Sequence, residues 1–195
     1  MKYNIEEFNH LIKNRRAAFP PQYSDEKIDK EIIEQILENA NWAPTHGRTE
    51  PWRFVVFTGE GLKKLADFQS GLYKKNNPGD TFDENKFEKF ATQPLKASHI
   101  IAIMMKRQES GKIPEIEEIE ATACAVQNMW LTATAYGLGA YWSSGVGTYA
   151  QAGKDFFGLG ENDKLLGFFY LGHIAKASPE GTRTSIADKV KWIED

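Results

Sequence analysis

The longest uninterrupted helical pattern in the chain runs from Pro114 to Tyr136, and its apolar residues do not keep to one stripe. Ile116, Ile119, Ala123, Val126, Met129, Trp130, Ala133 and Tyr136 recur at helical spacings over much of the circumference. Pro114 suits the opening of such a helix, where its missing N–H is no loss. A helix apolar on so many sides must be buried on several of them, either at the centre of its own subunit or against a second one. Whatever else the chain forms has to be arranged around it.

The surrounding segments supply the layers. Ile5, Phe8, Leu11 and Ile12 predict a helix ending near Arg15 and Arg16. Ser24 is expected to cap a second helix, with Ile28, Ile32, Ile33, Ile36, Leu37 and Ala40 as its apolar stripe up to Asn41. Four short strands are expected: WRFVVFT (52–58) and HIIAIMM (99–105), both read as buried, a third entered from GLGAYWSSG, and KLLGFFYLGHI (164–174). A helix is expected from Gly61 to about Lys75, and a shorter one in FEKFATQPLKAS, ended by Pro94. Between these two, NNPGDTFDEN is the most loop-like stretch, a candidate lid over 76–85. The tail has little core pattern before Val190 and Trp192. Strands separated by helices, without strict βαβ regularity or hairpin signals, predict an α+β layer fold. A single domain over residues 1–195 fits that length.

Several functions are disfavoured by composition and spacing. The formal charge is only −3, with acids and bases interspersed, so there is no concentrated basic face for nucleic acid. No apolar run is long enough to cross a bilayer, and MKYNIEEFNHLIKN lacks the continuous apolar stretch of a secretory leader, so a soluble cytoplasmic protein is expected. Cys124 is the sole cysteine and is expected to be a small buried filler in a reducing compartment. GLGAYW has two glycines of a dinucleotide fingerprint, but Trp142 stands where the third belongs, and the run follows a helix instead of preceding one. His10, His46, His99 and His173 are scattered without metal-ligand spacing, so no metal is expected.

Two segments carry more polar chemistry than turns require. NRRAAFPP (14–21) sets two guanidiniums side by side at a helix end, and APTHGRTEPWRFVVF (43–57) packs a histidine, two arginines and a glutamate into a turn entering the core. Taken with YGLGAYWSSG, LLGFFYLGH and the late arginine of EGTRTS, the segments IKNRRAA and WAPTHGRTEPWRFVVF stand in the order and at the separations of the nitroreductase family of flavin enzymes. The chain resembles that family over essentially its whole length. Its short HGR loop is most similar to the compact bacterial branch of NAD(P)H nitroreductases.

The resemblance implies an intertwined homodimer, each subunit a central mixed or antiparallel sheet flanked by helices, with FMN at the subunit interface. It implies that Arg15 and Arg16 hold the FMN phosphate and that Arg183 returns from the tail to complete the clamp, since forked guanidiniums match phosphate oxygens. Many relatives have serine where this chain has Ala17, so one hydrogen bond to the phosphate is missing. Where many relatives have N-x-Q-P-W, this chain has Arg48, Thr49, Glu50, Pro51 and Trp52. The motif beginning at Trp42 thereby implies Trp42, His46 and Arg48 as flavin neighbours, His46 reaching across from the opposite subunit. Trp142, Ser143 and Ser144 resemble the strand segment against the isoalloxazine, although the Trp142 ring fits a core position equally well; Trp52 reads as core. The implied activity is an FMN-dependent oxidoreductase taking hydride from NADH or NADPH onto flavin N5, with a nitroaromatic or quinone as acceptor and no catalytic side chain. The alternative is a flavin-binding sensor, store or interaction protein without significant turnover.

Overall fold

The computed structural model describes residues 2–194. Six helices, α1 (Ile5–Asn14), α2 (Lys30–Asn41), α3 (Glu60–Asn76), α4 (Glu84–Thr92), α5 (Glu115–Ala135) and α6 (Gln151–Phe157), surround four strands, β1 (Trp52–Phe57), β2 (His99–Met105), β3 (Leu138–Ser143) and β4 (Lys164–His173). The strands form one antiparallel sheet in the order β1-β2-β4-β3. The expected α+β class is what is observed, and the sheet is antiparallel throughout.

β2 is apolar at almost every position and buried on both faces, because it lies inside the sheet with helices on either side. One face packs on α2 and α5 through Ile33, Ile36, Ala40, Ile101, Ile103, Ala125, Met129 and Phe169. The other packs on α3 through Leu62, Leu65, Ile100, Ala102, Phe168 and Tyr170. β1 does not meet the expectation of a buried strand. It is the sheet edge, and Arg53, Val55 and Val56 are exposed.

Other expectations are corrected. Ser24 does not cap α2, which starts at Lys30 with Asp29 in the cap position. The backbone around Ser24 is instead engaged by the end of β4: Tyr23 bridges Ile174, and Ser24 N–H donates to the His173 carbonyl at 2.9 Å. Cys124 is exposed, not buried. α5 turns Ala121, Thr122, Ala125, Val126, Met129 and Ala133 inward, leaving the face of Ile116 and Cys124 open within one subunit. α4 begins inside the expected lid stretch, where Asp83 Oδ1 caps it and Tyr73 Oη accepts the Asp83 N–H at 3.1 Å. Val190 and Trp192 are exposed and join no core. The sequence reading places no helix at α6, which holds Gly153 within its 7 residues.

One feature sets the position of the N-terminal arginines. Gly139 of β3 and Gly172 of β4 are paired across the sheet, and a Cβ on either would stand 2.8 or 2.5 Å from Tyr23 atoms. The Tyr23 ring therefore lies on a bare glycine patch, and its hydroxyl donates to the Ala18 carbonyl at 2.6 Å. Ala17 forms a parallel bridge with Ala140, so the segment after α1 runs along the free side of β3.

Candidate functional site

The end of α1 is built to present cations. Arg15 caps the helix through its N–H to the Leu11 carbonyl. Its Cζ lies 4.5 Å from the centroid of the Trp130 ring on α5, and the Trp130 indole donates to the Arg16 carbonyl at 3.3 Å. Arg16 folds back, Nη1 donating to the carbonyls of Lys13 (2.6 Å) and Arg15 (2.8 Å), which satisfies helix-end acceptors.

The tail then closes over them. Ala175 N–H donates to the Gln22 carbonyl, Gln22 Nε2 reaches the Lys176 carbonyl, and the Ser178 hydroxyl donates to the Ala17 carbonyl at 2.9 Å. This brings Gly181 onto the Arg16 guanidinium, where a Cβ would meet Cζ at 2.7 Å. Arg15, Arg16, Gln127, Glu180 and Arg183 line one cavity of about 750 Å³. The expected convergence of Arg15 and Arg16 with Arg183, 167 residues later in the chain by their numbers, is present in a single subunit. Partial burial, then the charges of Arg183 and Arg16, push the Arg15 pKa down. Among the described residues none of the three arginines has a carboxylate within salt-bridge distance. Three crowded cations without paired acids favour an anion, and guanidiniums favour phosphate in particular.

Beyond the Ala17–Ala140 bridge, the same segment lines a second, more enclosed cavity of about 330 Å³. Its walls include Phe19, Phe90, Tyr141 and Tyr170, with Gln69, Gln93, Ser143 and the charged Lys89 as polar members. The Phe19 and Tyr141 rings are 4.6 Å apart between centroids. Tyr141 and Ser143 therefore share one face of β3, and Trp142 takes the other. A bulge in β4 explains where Trp142 goes: Leu166 falls out of register, and its carbonyl accepts the Trp142 indole N–H at 3.1 Å. Of the two positions open to it, the Trp142 ring takes the core one. Ser144 is exposed next to this cavity.

Trp42, His46 and Arg48 line neither cavity. They sit between α2 and β1, at the edge of the sheet opposite β3. Trp42 is 78% exposed, and its indole donates to Glu38. His46 Nδ1 lies 2.5 Å from Glu117 Oε2 at the start of α5. Arg48 and Glu50 hold positive φ angles of 55° and 42°, an uncommon conformation for side chains of that size. Sequence reading did not single out Phe19, Gln69, Gln93 or Tyr141, and it took Trp130 only as part of an apolar helix pattern. The aromatic at 19 after the arginine pair was the available signal for the second cavity. No group of acids, histidines and cysteines suited to a metal occurs among the described residues, and no helix among them is long and apolar enough to cross a membrane.

A family model described as the nitroreductase family matches residues 12–173. Two bacterial relatives share the name "Putative NAD(P)H nitroreductase". YdjA of Escherichia coli strain K12 is 32% identical over 162 residues, covering 83% of this chain and 85% of its own. YfhC of Bacillus subtilis strain 168 is 28% identical over 180 residues, covering 92% and 90%. Among solved structures, the nitroreductase-like family protein from Bacillus cereus superposes with a TM-score of 0.80 at 27% identity, covering 100% of this chain and 99% of the other. The FMN-dependent nitroreductase NfnB from Mycobacterium smegmatis, solved in complex with NADPH, gives a TM-score of 0.75 at 16% identity, covering 97% and 99%.

Proposed function

The chain belongs to the nitroreductase family, and from that premise we propose that it is an FMN-dependent NAD(P)H oxidoreductase. The observation that carries this is the pair of cavities strung along residues 15–21, a trio of arginines on one side of the Ala17–Ala140 bridge and an aromatic, amide-bearing chamber on the other. A molecule with a phosphate at one end and a flat heterocycle at the other matches that division of chemistry. FMN held there would supply the redox chemistry, with hydride from NADH or NADPH delivered to N5 and electrons passed on in ping-pong order to an electron-poor acceptor such as a nitroaromatic or a quinone.

The protein's part in this is to bind and orient. Arg15, Arg16 and Arg183 hold the phosphate, with Arg15 kept in place by Trp130. Ala17 offers the phosphate no hydroxyl, and the Ser178 hydroxyl is engaged by the Ala17 carbonyl, so the arginines carry that end. Ser143 and Ser144 border the ring. A homodimer would bring Trp42, His46 and Arg48 of a second subunit to this site. It would also cover the groove between α1, α2 and α5, which is rimmed by the exposed Phe8, Trp42 and Tyr136. A monomer in light scattering at micromolar concentration, with FMN bound, overturns the dimer.

The function is tested by colour and bleaching. Purified protein, or apoprotein reconstituted with FMN, is expected to show an oxidised-flavin spectrum that NADH or NADPH bleaches anaerobically and a nitroaromatic or quinone restores. A spectrum that neither nucleotide bleaches favours a flavin-binding protein without turnover. Failure to take up FMN removes both assignments.

A further inference from the structure

Gln69 sits in the middle of α3 and is 1% exposed. Its neighbours on that face, Leu62, Leu65, Ala66 and Tyr73, are buried apolar residues, and an aliphatic side chain would suit position 69 on packing grounds. The chain instead buries an amide whose Nε2 has no hydrogen-bond partner among the described residues. Leaving such a donor unpaired carries a desolvation cost that is recovered when an acceptor arrives.

The surroundings say what kind of acceptor fits. Gln69 lines the aromatic chamber with Phe19, Phe90, Tyr141 and Tyr170. Gly145 stands across from it: a Cβ there would lie 3.3 Å from Nε2, so the bare glycine leaves the N–H approachable. Burial pushes the Tyr170 phenol up to about 12 while hydrogen-bonding attraction from the Gln69 amide draws it down, so Tyr170 remains neutral at physiological pH; its hydroxyl lies close enough to attract the amide but completes no hydrogen bond of ordinary geometry with Nε2. Flat rings and amides dominate this lining, with Lys89 its one charged member, and around a buried neutral donor they favour a planar heterocycle bearing carbonyl or ring-nitrogen acceptors. An anion is better served by the arginines on the other side of the bridge.

Resting on the FMN assignment above, we infer that Gln69 donates its Nε2 hydrogen bond to an acceptor on the flavin ring, making it a ring-binding and potential-tuning contact specific to this chamber. A donor aimed at the ring stabilises its more electron-rich reduced form more than its oxidised form, so Gln69 also raises the midpoint potential.

The test compares FMN with riboflavin, which keeps the ring and lacks the phosphate. Apoprotein titrations with Gln69→Met, which matches the length and removes the donor, are expected to show both flavins weakened by the same factor, about three- to tenfold. The midpoint potential of bound FMN is expected to fall. Unchanged affinities and an unchanged potential overturn the inference, as does a loss confined to FMN. If Gln69→Met does not fold by circular dichroism, Gly145→Ala supplies the second reading, because its methyl crowds the approach to Nε2. It is expected to weaken both flavins in parallel, and full retention of both overturns the inference. Wild-type protein that binds neither flavin overturns the FMN assignment and this contact with it. Wild-type binding with an indifferent Gln69→Met overturns the contact alone.

Discussion

Arg15 and Trp130 hold each other's neighbourhoods in place: the guanidinium lies over the indole at 4.5 Å from its centroid, while the indole N–H donates to the next residue's carbonyl at 3.3 Å. A flexible arginine is thereby anchored to α5, whose inner face is packed against the sheet. Anchoring reduces the rotamer freedom that must be lost when an anion binds. Trp130→Leu is expected to weaken FMN by about 1 kcal/mol, about fivefold, the scale of a partly buried cation–π contact. Arg15→Ala is expected to cost about 1.5–3 kcal/mol, tenfold or more, as a charge-assisted hydrogen bond is lost. Fluorescence titration of apoprotein measures both, and equal affinities in all three proteins would place Arg15 outside the site.

Crowding of Arg15, Arg16 and Arg183 makes binding depend on salt in a ligand-specific way. The Debye length contracts from about 10 Å at 0.1 M to about 3 Å at 1 M, so attraction for a phosphate of nearly two charges is screened. FMN affinity is expected to fall about tenfold or more over that range. Riboflavin affinity is expected to change by less than about twofold, since it offers the arginines no charge. Parallel salt dependence for the two ligands, measured by the same titration, contradicts a phosphate role for this cluster.

The parts of this fold that were legible in the sequence are those where one local signal decides the outcome. HIIAIMM can only be a strand buried on both faces, and it is. WRFVVF has the same look yet forms the edge, because strand order depends on pairings between distant segments that no window contains. Ser24 is a good helix cap in isolation, but α2 begins only at Lys30, and Ser24 instead gives its backbone N–H to the end of β4. Cys124 lies among apolar residues along the chain and points to the uncovered face of α5. The meeting of Arg15 and Arg16 with Arg183 around one cavity could be expected from order and spacing through a family resemblance. Gln69 could not, since a glutamine in an amphipathic helix looks like any surface residue until its burial is known.

Glu118 is 1% exposed, accepts from the Arg107 guanidinium, and lies near the Gln108 N–H at 3.3 Å. It ties the first turns of α5 to the chain leaving β2. Removing one partner leaves the other charge buried without compensation, whereas removing both does not. Glu118→Ala is expected to lower stability by about 3 kcal/mol in denaturant unfolding, and Arg107→Met with Glu118→Met together by less than about half of that. A double variant as unstable as the single one would show that the packing of α5, and not the charge pair, sets the cost.

The buried His99 gives the fold a pH dependence whose sign can be worked out. Burial, and secondarily the charge of Lys27, pushes its pKa below the ordinary 6.5; its Nδ1 lies 3.0 Å from the Ser98 hydroxyl, which accepts the Ile28 N–H. In the unfolded chain the imidazole titrates near its ordinary value, so between the lowered folded pKa and about 6.5 the unfolded state binds more protons. Stability from this residue is therefore fully present above about pH 6.5, is lost as pH falls toward the folded pKa, and changes no further below it. Each unit of pH within that window is worth at most about 1.4 kcal/mol for one group. His99→Gln cannot titrate, and its stability is expected to vary less between about pH 5.5 and 7.5 than that of the wild type, as read by urea unfolding at matched ionic strength. Wild-type and His99→Gln curves that fall in parallel over this range would assign the acid sensitivity to other groups.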